Sequence, residues 1–394
     1  MGAIVVLAVL LRWPGFLAGL TVGLWFVTPV VLPGLAGFIP TLTVLGVSAV
    51  AALLRYGRKG GNGAFKIVLL FALFLFAVMA REFIGGDVRK TWAPIGIAML
   101  VGVIIALIGS YGRSREQLIW GFAVGNSVYA IAEIIRVAGG GALHASYGAF
   151  QANPIFAGHL LGIAFFALLA LWPRQRTRLW FFLPFLILLG GTLALTLSRG
   201  PIIAAVLAVL FIVIFRKKAK TREGAALHFL LMMVSVVAAV VAYVYLQGAR
   251  NSENDALNTE VREDHWTAAW STIRANPIFG TGTDALFDST PLDRISPVGY
   301  PHNILLETWE TYGLLPLVIL LVILLLVFRQ LNVIGRGMLI FIVTCYLSSG
   351  TLSVSVTLWI GVALSIVVGR SDASLAPREN LDEVADSSIV TAGR

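Results

Sequence analysis

The chain has 394 residues, of which 58% are hydrophobic and only 12% charged, and its mean hydropathy is +0.89. That composition cannot supply a water-facing surface on all sides, so a soluble globular protein is excluded and an integral membrane protein is expected. The net charge of +9 calls for no nucleic-acid partner, because the positions of Lys and Arg along the chain account for it.

Residues 2–11 are apolar but too short to span a bilayer, and Arg12, Trp13 and Pro14 follow them. They read as an interfacial piece or an early start to the first helix, with no small-residue cleavage site after them. Twelve apolar runs come next, at 14–32, 36–54, 65–80, 92–110, 117–135, 154–172, 179–197, 201–215, 226–246, 313–328, 335–349 and 352–368. Crossing about 30 Å of hydrocarbon takes roughly 20 helical residues. The expected fold is therefore an all-α polytopic membrane protein with about 12 transmembrane helices. Residues 1–246 hold the first nine helices, 247–312 a large external loop with amphipathic helices, and 313–369 the last three; 370–394 read as a disordered cytoplasmic tail. With both termini inside, twenty basic residues face the cytoplasm and nine face outward, as the positive-inside rule requires. The single cysteine, Cys345, lies in an apolar run, cannot form an intramolecular disulfide and reads as packing.

In chain order, the first outward feature is "IIRVAGGGALHASYGAFQANPIFAGHLL". It places Arg136 at a helix end, a run of glycines after it, and then Tyr147, Gln151, Asn153 and His159. Next, "LSRGP" puts Arg199 in a turn between two apolar runs, after Ser198 and before Gly200 and Pro201. A charge so close to hydrocarbon is costly, and such a residue either snorkels or serves function.

The long loop holds ten of the twenty acidic residues and four arginines, so chemistry should concentrate there. "NTEVREDHWTAAWSTIRANP" reads as a helix begun by Asn258 or Thr259 and ended before Pro277, with Arg274 in its last turn. Trp266, Ala269, Trp270 and Ile273 form an apolar stripe at helical spacing, with Arg262 near its centre and Glu263 and Asp264 opposite. An inward arginine either pairs with a loop carboxylate such as Glu260 or binds phosphate. "NPIFGTG" then supplies Gly280 and Gly282 for a tight turn, without the strand that a dinucleotide fingerprint needs. In "PHNILLETWETYGLLP", Asn303 suits an N-cap. His302 would then stand beside the positive end of a helix, which favours its neutral, proton-accepting form; a purely structural histidine at this junction is the other reading. Arg136, Arg199, Arg262 and His302 thus fall on one side of the membrane. Several arginines with one potential base suit a phosphate-ester or pyrophosphate substrate attacked by a hydroxyl, and no acidic cluster has metal-ligand spacing.

Taken in order, these segments resemble the superfamily of O-antigen ligases and O-antigen polymerases, bacterial membrane glycosyltransferases. "GAFQANPIFAGHL" is similar to its Gly-x-Phe…Asn-Pro segment, and "LSRGP" to its Ser-Arg-Gly turn. "VREDHWTAAWSTIRANPIFGTG" is similar to its Arg…Trp…Pro-x-x-Gly-x-Gly stretch, and "PHNILLETWETYGLLP" to its His-Asn…Gly segment. The ordered set spans 148–316; Thr311, with Glu310 beside it, stands where the family usually has a glutamate, and Pro316 where a glycine is common. The resemblance implies a GT-C-like membrane fold in the cytoplasmic (inner) membrane with its active site facing the periplasm. It implies transfer of a glycan from an undecaprenyl-pyrophosphate carrier to an acceptor hydroxyl, the lipid A-core for a ligase or a second lipid-linked glycan for a polymerase. No metal, cofactor or nucleic acid is implied. His302 would be the base, Arg199 and Arg262 would hold the pyrophosphate with Arg136 and Arg274, and Asn303, Ser198, Tyr147 and Asn153 would support them. The competing class is a transporter or flippase, which multiple spans would also suit; here the spans carry almost no central charge.

Overall fold

A computed structural model of the chain describes residues 12–24, 38–56, 71–80, 88–140, 153–171, 179–196, 198–215, 252–282, 301–349 and 356–369. All secondary structure among them is helical. The helices are α1 Pro14–Gly23, α2 Phe38–Tyr56, α3 Phe71–Ala80, α4 Val88–Gly109, α5 Gly112–Ala138, α6 Pro154–Ala170, α7 Leu179–Leu195 and α8 Arg199–Phe215. Two helices of the polar loop follow, α9 Ser252–Ala275 and α10 Ile304–Tyr312, and then α11 Leu314–Gln330, α12 Val333–Ser349 and α13 Val356–Gly369. Each expected span that the described residues reach coincides with a helix, while the one at 226–246 lies outside them, as do 2–11, Tyr147 and 370–394. Among the described residues, Ser114–Ala138 is the one helix long and apolar enough to cross a membrane; the apolar stretches described in the other helices have 10–17 residues. The described residues thus form an all-α structure.

The bundle is organised around α13, in which every residue from Thr357 to Gly369 is buried. A helix apolar all round must be enclosed on every side, and α4, α6, α11 and α12 enclose this one. Trp359 packs edge-on to Phe71 of α3, with ring centroids 5.0 Å apart. The last carbonyls of α13 are capped by other segments: Arg115 donates to Val368 O at 3.0 Å and the Asn332 backbone to Gly369 O at 2.9 Å. A cation at a helix C-terminus also complements its dipole.

Among the described helices, the tightest pair is α1 with α5. Gly15, Gly19 and Gly23 repeat every fourth residue along one face of α1, and a Cβ at Gly23 would stand 2.6 Å from the Phe122 carbonyl oxygen. Gly121 and Gly125 of α5 answer from the other side, so the two backbones meet without side chains between them. Small residues at four-residue spacing drive association in lipid because close packing, not water release, holds the helices together there.

Candidate active site

The loop helices α9 and α10 lie side by side and run parallel. Near the start of the pair, the Trp266 indole donates to Pro301 O at 2.7 Å, and the His265 and His302 rings have centroids 6.1 Å apart. Further along, Trp270 packs against Trp309 at 5.8 Å and Thr272 hydrogen-bonds the Glu310 carboxyl. At the end, the backbone N–H groups of Thr281 and Gly282 donate to Glu310 O and Thr311 O, both at 2.9 Å, while Leu314 N–H donates to Ile278 O at 3.1 Å.

Two glycines make this junction possible. Gly280 and Gly313 have φ of 67° and 87°, the left-handed region in which a side chain is strained. A Cβ on Gly280 would stand 2.5 Å from Thr311 O, and one on Gly313 would run into the Ile278 carbonyl. The "NPIFGTG" and "TYGLLP" segments are therefore the two halves of one backbone clasp.

His302 sits just before α10, capped as the sequence predicts: the Asn303 side chain accepts from the N–H groups of Leu305 and Leu306 at 3.0 and 3.2 Å. His302 itself has φ of 52°, the one positive value among described non-glycine residues. Holding an L-residue there costs roughly 1–2 kcal/mol, and such strain persists where the surroundings over-determine it, commonly at functional sites. Burial first, then the Arg262 guanidinium and His265, push the His302 imidazole down to about 4. It is therefore neutral at physiological pH, the form able to accept a proton.

Arg262 is the cation that α9 brings to His302, though not in the orientation expected from helical spacing. The buried stripe of α9 is His265, Ala269 and Ile273, while Arg262 is exposed, and Trp266 and Trp270 are 42% and 44% exposed. The stripe is rotated because α10 docks on the His265 and Thr272 side of α9, leaving the tryptophans at the seam. Arg274 stands twelve residues beyond Arg262 on the same helix, about 18 Å at ~1.5 Å per residue, so α9 holds it well away from His302.

The other expected residues that are described fall on other helices, packed against one another and not against α9. Arg199 is the first residue of α8 and is exposed, at a helix start whose N–H groups point outward. Ser198 is buried, and its N–H donates to the Thr196 hydroxyl at 3.4 Å. Gly158 of α6 lies against Pro201 of α8, so α6 begins beside the Arg199 turn. Asn153 caps α6 by accepting from Ile155 N–H at 2.9 Å, a structural reason for its presence. Arg136 forks the Glu133 carboxylate at 2.6 and 3.0 Å on its own helix, so an anion there would compete with a carboxylate already in place. Tyr147 lies outside the described residues.

Three further polar groups have no catalytic role in the sequence reading. His265, three residues from Arg262, was legible as its helical neighbour. Glu310 is 8% exposed, and burial first, with Glu307 beside it, raises its carboxyl to about 7. His159 is fully buried, with its ring between Phe156 and Tyr346, whose hydroxyl bonds that of Thr357. Glu307 acts electrostatically on both Glu310 and Tyr346, linking α10 to this buried polar column.

Residues 184–321 match the family described as O-antigen ligase, which bears out the resemblance to the O-antigen ligase superfamily. The matched stretch holds Arg199, both loop helices and the clasp, whereas Arg136 and Asn153 precede it. No curated protein matches the chain.

Proposed function

We propose that this chain, similar to the O-antigen ligase family over residues 184–321, is a glycosyltransferase of the inner membrane that moves a glycan from an undecaprenyl-pyrophosphate carrier to an acceptor hydroxyl on the periplasmic face, the lipid A-core being the favoured acceptor. The observation that carries the proposal is the convergence of Arg262 and His265 from α9 on a strained, neutral His302, all within the family-matched stretch.

In this reading His302 accepts the proton of the acceptor hydroxyl as its oxygen attacks the anomeric carbon. The bond between that carbon and the pyrophosphate oxygen breaks, the electron pair leaves with the pyrophosphate, and Arg262 and Arg199 neutralise the departing charge. One displacement inverts the anomeric centre, and no metal is given a role.

The low basicity of His302 fits this order of events. An imidazole near 4 takes a proton reluctantly. A bound pyrophosphate would compensate the Arg262 charge that helps depress His302, raising its basicity only when donor is present. Arg136 and Arg274 become secondary in this scheme, the first engaged with Glu133 and the second far along α9.

The test is transfer by the purified protein from a polyprenyl-pyrophosphate glycan, with added chelator, offered either lipid A-core or a second lipid-linked glycan. Product on the first supports a ligase, product on the second a polymerase, and product on neither refutes the proposal. Both termini are cytoplasmic in this reading. A cysteine at Ser289, outside the described residues, then reacts with an impermeant maleimide in intact spheroplasts; labelling only after lysis overturns that topology.

A further inference from the structure

The turn that closes α9 carries two large apolar side chains that the site does not use. Ile278 is 59% and Phe279 is 68% exposed, although the chain folds their neighbour Gly280 into a buried position. The turn is held rigidly: Leu314 N–H donates to Ile278 O at 3.1 Å, Gly280 N–H to Asn276 O at 3.1 Å, and the Trp309 indole to Pro277 O at 2.9 Å. Exposure here is therefore a built feature, not the swing of a loose loop.

What the turn is fastened to identifies what covers it. Leu314 and Leu315 open α11 and are 42% and 63% exposed; farther along the same helix, Val318, Leu321, Val322 and Leu325 continue an exposed apolar face. In a membrane protein such a face meets lipid. The clasp through Gly280 and Gly313 sets Ile278 and Phe279 level with the first residues of that face. Just beside them, Trp270 and Trp309 pack together, and tryptophan favours the boundary between hydrocarbon and water. Arg274, three residues before Pro277, is exposed and can extend its guanidinium to headgroup phosphates. Apolar tip, aromatic collar and cation follow one another as the depth profile of a bilayer interface does.

We infer that the Pro277 to Phe279 turn is a membrane wedge, with the side chains of Ile278 and Phe279 inserted among the acyl chains of the leaflet in which α11 begins. The wedge ties α9, and hence Arg262, to the bilayer surface at which a lipid-linked substrate is held. The inference rests on the membrane reading of α11 and not on the transferase chemistry.

The test uses the full chain in nanodiscs of phosphatidylethanolamine and phosphatidylglycerol, in a Cys345→Ala background. Single substitutions Ile278→Cys, Phe279→Cys, Leu321→Cys and Glu263→Cys each receive a nitroxide. Power saturation compares collision with oxygen, which concentrates in acyl chains, and with a water-soluble nickel chelate. Oxygen is expected to dominate at 278, 279 and 321, and nickel at the exposed Glu263 position. Nickel dominating at 278 and 279 while oxygen dominates at 321 overturns the wedge and leaves the membrane reading standing. Exclusion of both probes at 278 and 279 overturns it in favour of a protein partner, including a second copy of the chain. Nickel dominating at 321 overturns the wedge together with the membrane reading of α11, whereas loss of glycan transfer alone would touch only the proposed function.

Discussion

Replacing His302 by glycine separates the strain in its backbone from the chemistry of its ring. At φ of 52° the histidine costs roughly 1–2 kcal/mol that glycine does not. Glycine in turn gives up about 0.5–1 kcal/mol through the greater freedom of the unfolded chain. Losing the half-buried ring and its contact with His265 costs on the order of 1 kcal/mol more. These effects nearly cancel, so His302→Gly is expected to leave stability within about 1 kcal/mol of the wild type. Transfer should fall by about 10² to 10⁴, the usual contribution of a positioned base, which is roughly 2.7–5.4 kcal/mol of activation energy. His302→Gln, which keeps hydrogen bonding but cannot take the proton usefully, should be as defective. The assay is single-turnover transfer from purified polyprenyl-pyrophosphate glycan, with thermal unfolding measured in the same detergent. Near-normal turnover by the glutamine variant would remove His302 as the base. A drop in melting temperature large enough to account for the loss in the glycine variant would make the residue structural.

Arg199→Lys and Arg262→Lys should each be nearly as damaging as the alanine variants, because an ammonium cannot reproduce the two-pronged guanidinium contact with phosphate; full transfer by either lysine protein at normal abundance would contradict its assignment. Gly280→Ala and Gly313→Ala should each destabilise by roughly 2–5 kcal/mol, from left-handed strain together with the clash at the clasp, and should detach α9 from α10, read as faster amide exchange at residues 281 and 282. Glu310 keeps its proton up to about 7, so the folded state holds a proton that the unfolded chain releases near 4.5. Its stabilising contribution is full below 4.5 and lost as pH rises through 7, and Glu310→Gln should flatten that alkaline fall in thermal stability. His302 works in the opposite sense: lowered from 6.5 to about 4, it favours folding fully above 6.5, and that contribution is lost as pH falls toward 4, a slope that His302→Gln should abolish.

Much of the fold was legible because it depends on local chemistry. Hydropathy marked the apolar helices, since a segment must be long and apolar before it can be a span at all. Pro277 and Asn303 marked the end of α9 and the start of α10, because capping and the missing proline N–H act within one turn. α9 starts at Ser252, six residues or more before the Asn258 or Thr259 start that the sequence suggests, because the polar stretch before them has no apolar period to read. The pairing of Arg136 with Glu133 was also within reach, three residues apart on one helix, as was the glycine repeat of α1.

By itself, the sequence determined the expectation of a helical membrane protein, the polar loop in which the candidate residues collect, and the residue types that the proposed chemistry would need. The tertiary structure alone decided which helix stands at the centre, since an evenly apolar sequence such as that of α13 does not say what encloses it. It also decided which face of α9 is buried. Helical spacing placed Trp266 and Trp270 on that face, but the docking of α10 turned it toward His265 and Thr272. The positive φ of His302, its approach to Arg262 and the meeting of Gly280 with Gly313 arise between segments some thirty residues or more apart. No periodicity links such segments; only the closing of the clasp brings them together, because the backbones of two distant turns fit where neither carries a side chain.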